Sequence, residues 1–164
     1  PRWLRLAPPL HPALTMRWIA PTLLVLAAVL APPVHAGFQF GVAHVDEVDG
    51  VSSHGYTLAW LTDARHPWEF SLGHIAGRRS GSGPRTPSVN YLAVSRQLTW
   101  RSWFASGGIA YTTSNTEVLS EHWQFMTGLG WRGERVALSL RHLSNANTGG
   151  RNRGENLLIL EYRF

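Results

Sequence analysis

The sequence has no cysteine and no lysine, and it is poor in charge of either sign. Without cysteine, neither a disulfide framework nor a thiolate metal site can form. Charged residues make up 15% of the 164 residues, against about 25% in ordinary soluble domains. What is abundant is apolar or small: 44% hydrophobic residues, 8 Trp and 16 Gly. Such a surface need not be wet throughout. All 15 basic residues are Arg, against ten acids, for a formal charge of +5. No basic run with interleaved aromatics supplies a nucleic-acid footprint. Anionic headgroups or phosphates suit an all-Arg chain better, because the guanidinium makes planar, multidentate contacts.

The first 36 residues read as separate from the working fold. Met16-Arg17 is a charged start, Ile19 to Leu30 an apolar run broken by Pro21, and Val34-His35-Ala36 a small-x-small cleavage signal before Gly37. This is the form of a secretory signal peptide. A membrane-spanning helix would need about 20 apolar residues without proline breaks. Residues 1–15 read as an upstream extension, 16–36 as the signal peptide and 37–164 as one domain. That domain keeps twelve Arg and all ten acids, so its net charge is only +2.

From Gly37 onward the period is two rather than 3.6, in segments of about ten residues. Strands are expected near 38–46, 55–63, 67–76, 89–98, 101–112, 121–131, 135–145 and 154–164. In the sixth, Trp123, Phe125, Leu129 and Trp131 oppose His122, Gln124, Gly128 and Gly130. In the third, Trp68, Phe70 and Leu72 oppose Glu69, Ser71 and Gly73. The fourth alternates less cleanly, since bulky Tyr91 and Leu92 fall on opposite faces. Links at 64–66, 99–100 and 132–134 are short, whereas 47–54, 77–88, 113–120 and 146–153 are longer and mostly rich in Gly, Ser, Asn or Arg. Alternating short and long links suit a membrane barrel with tight periplasmic turns and longer external loops. A soluble sandwich would bury its bulky faces instead; here the polar face is small, as a narrow eight-stranded interior requires. The expected fold is therefore all-β, an eight-stranded antiparallel transmembrane β-barrel preceded by a signal peptide.

The final segment strengthens membrane insertion. Leu158, Leu160, Tyr162 and Phe164 share one face, while Glu161 and Arg163 share the other. Charge facing lipid is expensive, so the charged face must look into the barrel. A terminal Phe after alternating apolar residues is similar to the assembly signal of bacterial outer-membrane barrels. Lipid offers no partner to an open sheet edge, so the strands must close.

Chemistry concentrates on the seventh strand. Its even face reads Val136, Leu138, Leu140, then His142 and Ser144, an apolar stripe ending in a base and a hydroxyl. Residues i and i+2 share a face roughly 6.5–7 Å apart, near enough for an imidazole to take a serine proton. A His-x-Ser pair alone is weak evidence, and on spacing alone an interfacial His and Ser at a strand end is the commoner explanation. Position adds weight: with an even strand count and a periplasmic N-terminus, this strand runs outward. His142 and Ser144 then lie at outer-leaflet depth, where lipopolysaccharide carries acyl esters.

Arg141-His142-Leu143-Ser144-Asn145-Ala146, followed by Asn152-Arg153-Gly154 and the final strand, resembles the signature of the PagL-type lipid A 3-O-deacylases. The resemblance covers about 25 C-terminal residues in motif and the rest in architecture. It implies a multi-pass barrel of the bacterial outer membrane that hydrolyses the 3-O-linked ester of lipid A without a cofactor. In it Ser144 is the nucleophile, His142 the general base and Asn145 a contributor to the oxyanion site. The family's acid, a Glu, aligns by spacing with Asn156, while Glu155 stands one place earlier. Parity favours Asn156, which shares the outward face; Glu155 should point inward as an ion-pair partner unless a bulge turns it. An Asn carbonyl can still hold the imidazole tautomer, as in Cys-His-Asn hydrolases. Both residues remain open at this point.

Arg151 and Arg153, in the last external loop, are candidates for holding lipid A phosphates or are solvated loop charges. Arg78, Arg79 and Arg85 read as solvated. His44, His74 and His122 lack metal-site spacing, and no acidic cluster near the site suggests calcium. The implied partner is lipopolysaccharide in the surrounding membrane, with room for a homodimer and no role for nucleic acid. Two other readings use the same architecture: a non-enzymatic barrel, and an acyltransferase that passes the chain to another lipid.

Overall fold

A computed structural model describes residues 37–48, 50–79, 86–148 and 153–164. Residues 1–36, read above as extension and signal peptide, lie outside them, as does Arg151. The described residues form eight strands: β1 (Gly37–Val48), β2 (Val51–Leu61), β3 (Trp68–Ile75), β4 (Val89–Trp100), β5 (Trp103–Thr112), β6 (Trp123–Arg132), β7 (Val136–Ser144) and β8 (Glu155–Arg163). Each pairs antiparallel with the next, and β8 returns to β1 to close the barrel. No strand edge is left unpaired, as a bilayer demands.

Polarity is inverted relative to a soluble protein. Phe70, Leu72, Leu92, Leu98, Leu129 and Leu140 are exposed, whereas Gln39, Glu69, Gln97, Arg141 and Glu161 are buried inside. Period-two side chains make this possible, because each strand presents one face to each medium. Aromatic residues gather at both ends of the outer wall, with Trp60, Trp68, Trp100 and Trp103 toward one rim and Tyr56, Tyr111 and Trp123 toward the other. Such paired girdles mark the two interfaces of a membrane barrel.

The interior is filled. Near the short-turn end, Arg141 bonds Glu161 at 2.7 Å and pairs with Glu69, which also accepts from Gln97 Nε2 at 2.6 Å. Gln39 Nε2 donates to Glu161 at 3.0 Å. Above this network lies an apolar layer that includes Val45, Ile75, Val89, Tyr91, Leu143, Leu157 and Ile159. Tyr91 fits because Gly73, its cross-strand neighbour, has no Cβ where the phenol ring lies. This accounts for the uneven alternation of β4: Tyr91 turns inward and Leu92 outward. Leu119, from the link 113–122, is fully buried and plugs the barrel from the long-loop end.

Several links differ from expectation; the one placed at 99–100 falls at 101–102, because β4 runs on to Trp100, which pairs with Trp103. The link placed at 47–54 is only 49–50, because β1 and β2 continue pairing to Val48 and Val51 across a bulge. Polar residues do not end a strand while its partner still supplies hydrogen bonds, and Gly50 at φ 78° permits the tight turn. The link expected at 64–66 spans 62–67, closed by Trp68 N donating to Thr62 Oγ1 at 2.9 Å.

An arginine on the mid-height outer wall would have to sit in hydrocarbon. Leu72→Arg should lower the free energy of folding into lipid vesicles by about 2–4 kcal/mol, read as a shift in the urea unfolding midpoint. An unchanged midpoint would show that this wall does not face lipid.

Candidate active site

At the long-loop rim, β7 carries His142 and Ser144 on its outward face, both half-buried, while Arg141, Leu143 and Asn145 point inward and are buried. His142 is the cross-strand partner of Asn156 on β8. Its Nδ1 lies 2.8 Å from Asn156 Oδ1. An amide oxygen only accepts, so Nδ1 carries the proton and Nε2 keeps its lone pair, the tautomer a general base needs. Asn156 is held from its other side: its Nδ2 donates to Asp46 Oδ2 at 2.7 Å and its backbone N to Asp46 Oδ1 at 3.3 Å.

Beyond Ser144 the chain leaves the strand in a tight turn. Ala146 N donates to Ser144 Oγ at 3.1 Å, so one main-chain donor already points at the hydroxyl oxygen. Ala146 and Asn147 both have left-handed backbones, at φ 54° and 59°. For Ala this conformation costs roughly 1–2 kcal/mol. Asn145 holds the turn from inside: its Oδ1 accepts from Asn147 N at 2.9 Å, and its Nδ2 donates to Ser120 Oγ at 3.1 Å. The Asn145 side chain, 1% exposed, thus faces the interior.

Glu155, the other candidate acid, does not meet the imidazole. It is buried and takes both Nη atoms of Arg78, at 2.7 and 2.8 Å. Arg78, read from the sequence as a solvated loop charge, is itself buried and also donates to the Asp46 backbone carbonyl at 2.8 Å. Burial of a charge requires such pairing; the partner lies 77 residues away, beyond the reach of local pattern. Arg153 is exposed on the approach to β8.

Three contributors escaped sequence reasoning. Asp46 is outward-facing by parity, and an acid on a lipid-side face is costly enough to signal a role. Arg78 carried no local signal. Gly154, at φ 78°, packs its Cα against the imidazole: a Cβ there would lie 2.5 Å from His142 Cε1 and 3.0 Å from Nε2. Its N–H donates to Val118 O at 3.0 Å, so the link that plugs the barrel also seats the site.

The model of the lipid A 3-O-deacylase (PagL) family matches residues 49–164. The chain belongs to that family. Family members are outer-membrane enzymes, and the barrel described above is an outer-membrane protein. Among solved structures, that of the outer membrane enzyme PagL is similar, with a TM-score of 0.51 and 18% identity. The match covers 77% of this chain and 97% of that one, and it shows the shared fold. No curated protein sequence matches.

Gly154→Ala combines backbone strain with a clash against the ring, so it should lower deacylase activity at least tenfold while the barrel stays folded by circular dichroism. Wild-type activity in this variant would mean that the imidazole has room to move.

Proposed function

We propose that this chain removes the 3-O-linked primary acyl chain from lipid A, using Ser144 as nucleophile, His142 as general base and Asn156 as the third member. The observation that carries this reading is the His142–Asn156 bond at 2.8 Å, made on the outward face that also bears Ser144. Nε2 accepts the Ser144 proton as Oγ attacks the ester carbonyl. Negative charge then develops on the carbonyl oxygen. The Ala146 N–H, which donates to Oγ at rest, is the candidate donor to that oxygen, and Asn145 contributes through the turn that its buried amide holds. Each donor of this kind is worth about 3 kcal/mol.

Collapse of the tetrahedral intermediate expels the sugar hydroxyl, which takes its proton from His142. Water, deprotonated by His142, then hydrolyses the acyl-Ser144 ester. The products are a 3-hydroxy fatty acid and 3-O-deacylated lipid A. Substrate reaches the site within the membrane: each strand crosses the bilayer, and Leu140, Leu158, Phe125 and Leu129 form an exposed apolar approach beside His142 and Ser144. Arg153, exposed on the approach to β8, is the candidate to hold a lipid A phosphate. Every group named comes from one copy of the chain. Glu155 has its Arg78 partner, and its part is to anchor the rim.

Mass spectrometry of lipid A from cells expressing each variant tests the assignment. Wild type should remove the mass of one 3-hydroxy acyl chain and release the free acid; Ser144→Ala should remove none. Asn156→Ala should reduce the product roughly 10- to 100-fold through loss of the tautomer-setting bond. Deacylation retained in Ser144→Ala would refute the nucleophile, and appearance of the chain on another lipid would make the reaction a transfer.

A further inference from the structure

We infer that Asp46 is the positioning residue that lets an asparagine serve beside His142: it fixes which end of the Asn156 amide meets the imidazole. This rests on the assignment of Ser144 and His142 above. An amide group is nearly symmetric in shape but has a donor at one end and an acceptor at the other. With the ends exchanged, Asn156 Nδ2 would donate to His142 Nδ1. The ring proton would then sit on Nε2, and the imidazole could not accept a proton from Ser144. Nothing in a lone asparagine selects between these states. A carboxylate selects, because it only accepts.

Asp46 is built to do this. It lies on the outward face of β1, at the bulge between Val45 and Val48, and β1 is hydrogen-bonded to β8. Its two oxygens take the side-chain N–H and the backbone N–H of Asn156, at 2.7 and 3.3 Å. Turning the amide over would set Oδ1 against Oδ2 of the carboxylate and replace a charge-assisted bond with repulsion. Hydrogen bonds in series also polarise one another. Donation to Asp46 therefore increases the negative character of Asn156 Oδ1, the atom facing the imidazolium formed during catalysis.

The charge that other members of a serine triad place directly beside the histidine is here one amide further away. Arg78 does not cancel it closely: its Nη atoms hold Glu155 at 2.7 and 2.8 Å, and its nearest approach to the Asp46 carboxylate is 4.0 Å.

The test compares Asp46→Asn and Asp46→Leu in two backgrounds, the wild-type chain and Asn156→Glu, using purified barrel and lipid A in detergent micelles. In the wild-type background, Asp46→Leu should lower kcat about 100-fold, and Asp46→Asn about tenfold because a neutral oxygen still accepts from Asn156. KM should stay within about threefold, since the carboxylate acts on the base rather than on the lipid. In the Asn156→Glu background there is no amide to orient, and Asp46 becomes a like-charge neighbour. There Asp46→Asn should leave kcat unchanged or raise it. Long-range proton–nitrogen NMR correlations of His142 give a readout independent of turnover: Nδ1-protonated in wild type, mixed tautomers in Asp46→Leu.

A kcat for Asp46→Leu within twofold of wild type, an equal loss in both backgrounds, or an unchanged His142 tautomer would each overturn the role of Asp46. Those results leave the Ser144 assignment standing. Activity persisting in Ser144→Ala would instead remove the reading on which it rests.

Discussion

Closure of the sheet is the constraint from which everything else follows. In a barrel of eight strands each side chain has two surroundings to choose from, the packed interior or the outer wall, and period-two geometry makes the choice for whole strands at once. A single residue cannot change sides without a bulge. On β7 the outer wall is apolar through Leu140 and turns polar at His142 and Ser144, at the long-loop rim. Chemistry placed on that face meets molecules lying in the membrane beside the protein. The barrel lumen, filled by the Arg141–Glu69–Glu161 network and the apolar layer above it, has no room for them.

Interior and exterior are coupled at the rim. Glu155 and Asn156 are sequence neighbours on opposite faces of β8. The inward one anchors Arg78, and the outward one bonds His142. Asp46 touches both systems, through its backbone carbonyl to Arg78 and its carboxylate to Asn156. The link 113–122 completes the support: Leu119 plugs the barrel, Val118 holds Gly154, and Ser120 takes the Asn145 amide. The outward-facing groups are therefore seated on buried ones, which limits their freedom without walling off the membrane side.

Much of this was legible in the chain. Alternation in the third, sixth, seventh and eighth strands assigned faces correctly, because one wall is apolar throughout and a slip of one residue would exchange the two faces. The parity argument placed Asn156 outward and Glu155 inward, as the structure has them. What stayed hidden depends on closure of the barrel. Asp46 and Asn156 are 110 residues apart and meet through the β1–β8 register, which no local pattern encodes. Arg78 looked like a loop charge because its partner is supplied by a distant strand. The first hairpin was read as a loop from its polar composition, although backbone pairing continues through it.

The account's central claim is that a hydroxyl on the membrane-facing rim of β7 is activated by the imidazole two residues before it. A serine-directed fluorophosphonate tests this without reference to any lipid. Incubated with the folded barrel, it should form one covalent adduct, mapped by peptide mass spectrometry to Ser144, and His142→Ala should abolish labelling. Labelling at another serine, or undiminished labelling of Ser144 in His142→Ala, would contradict it.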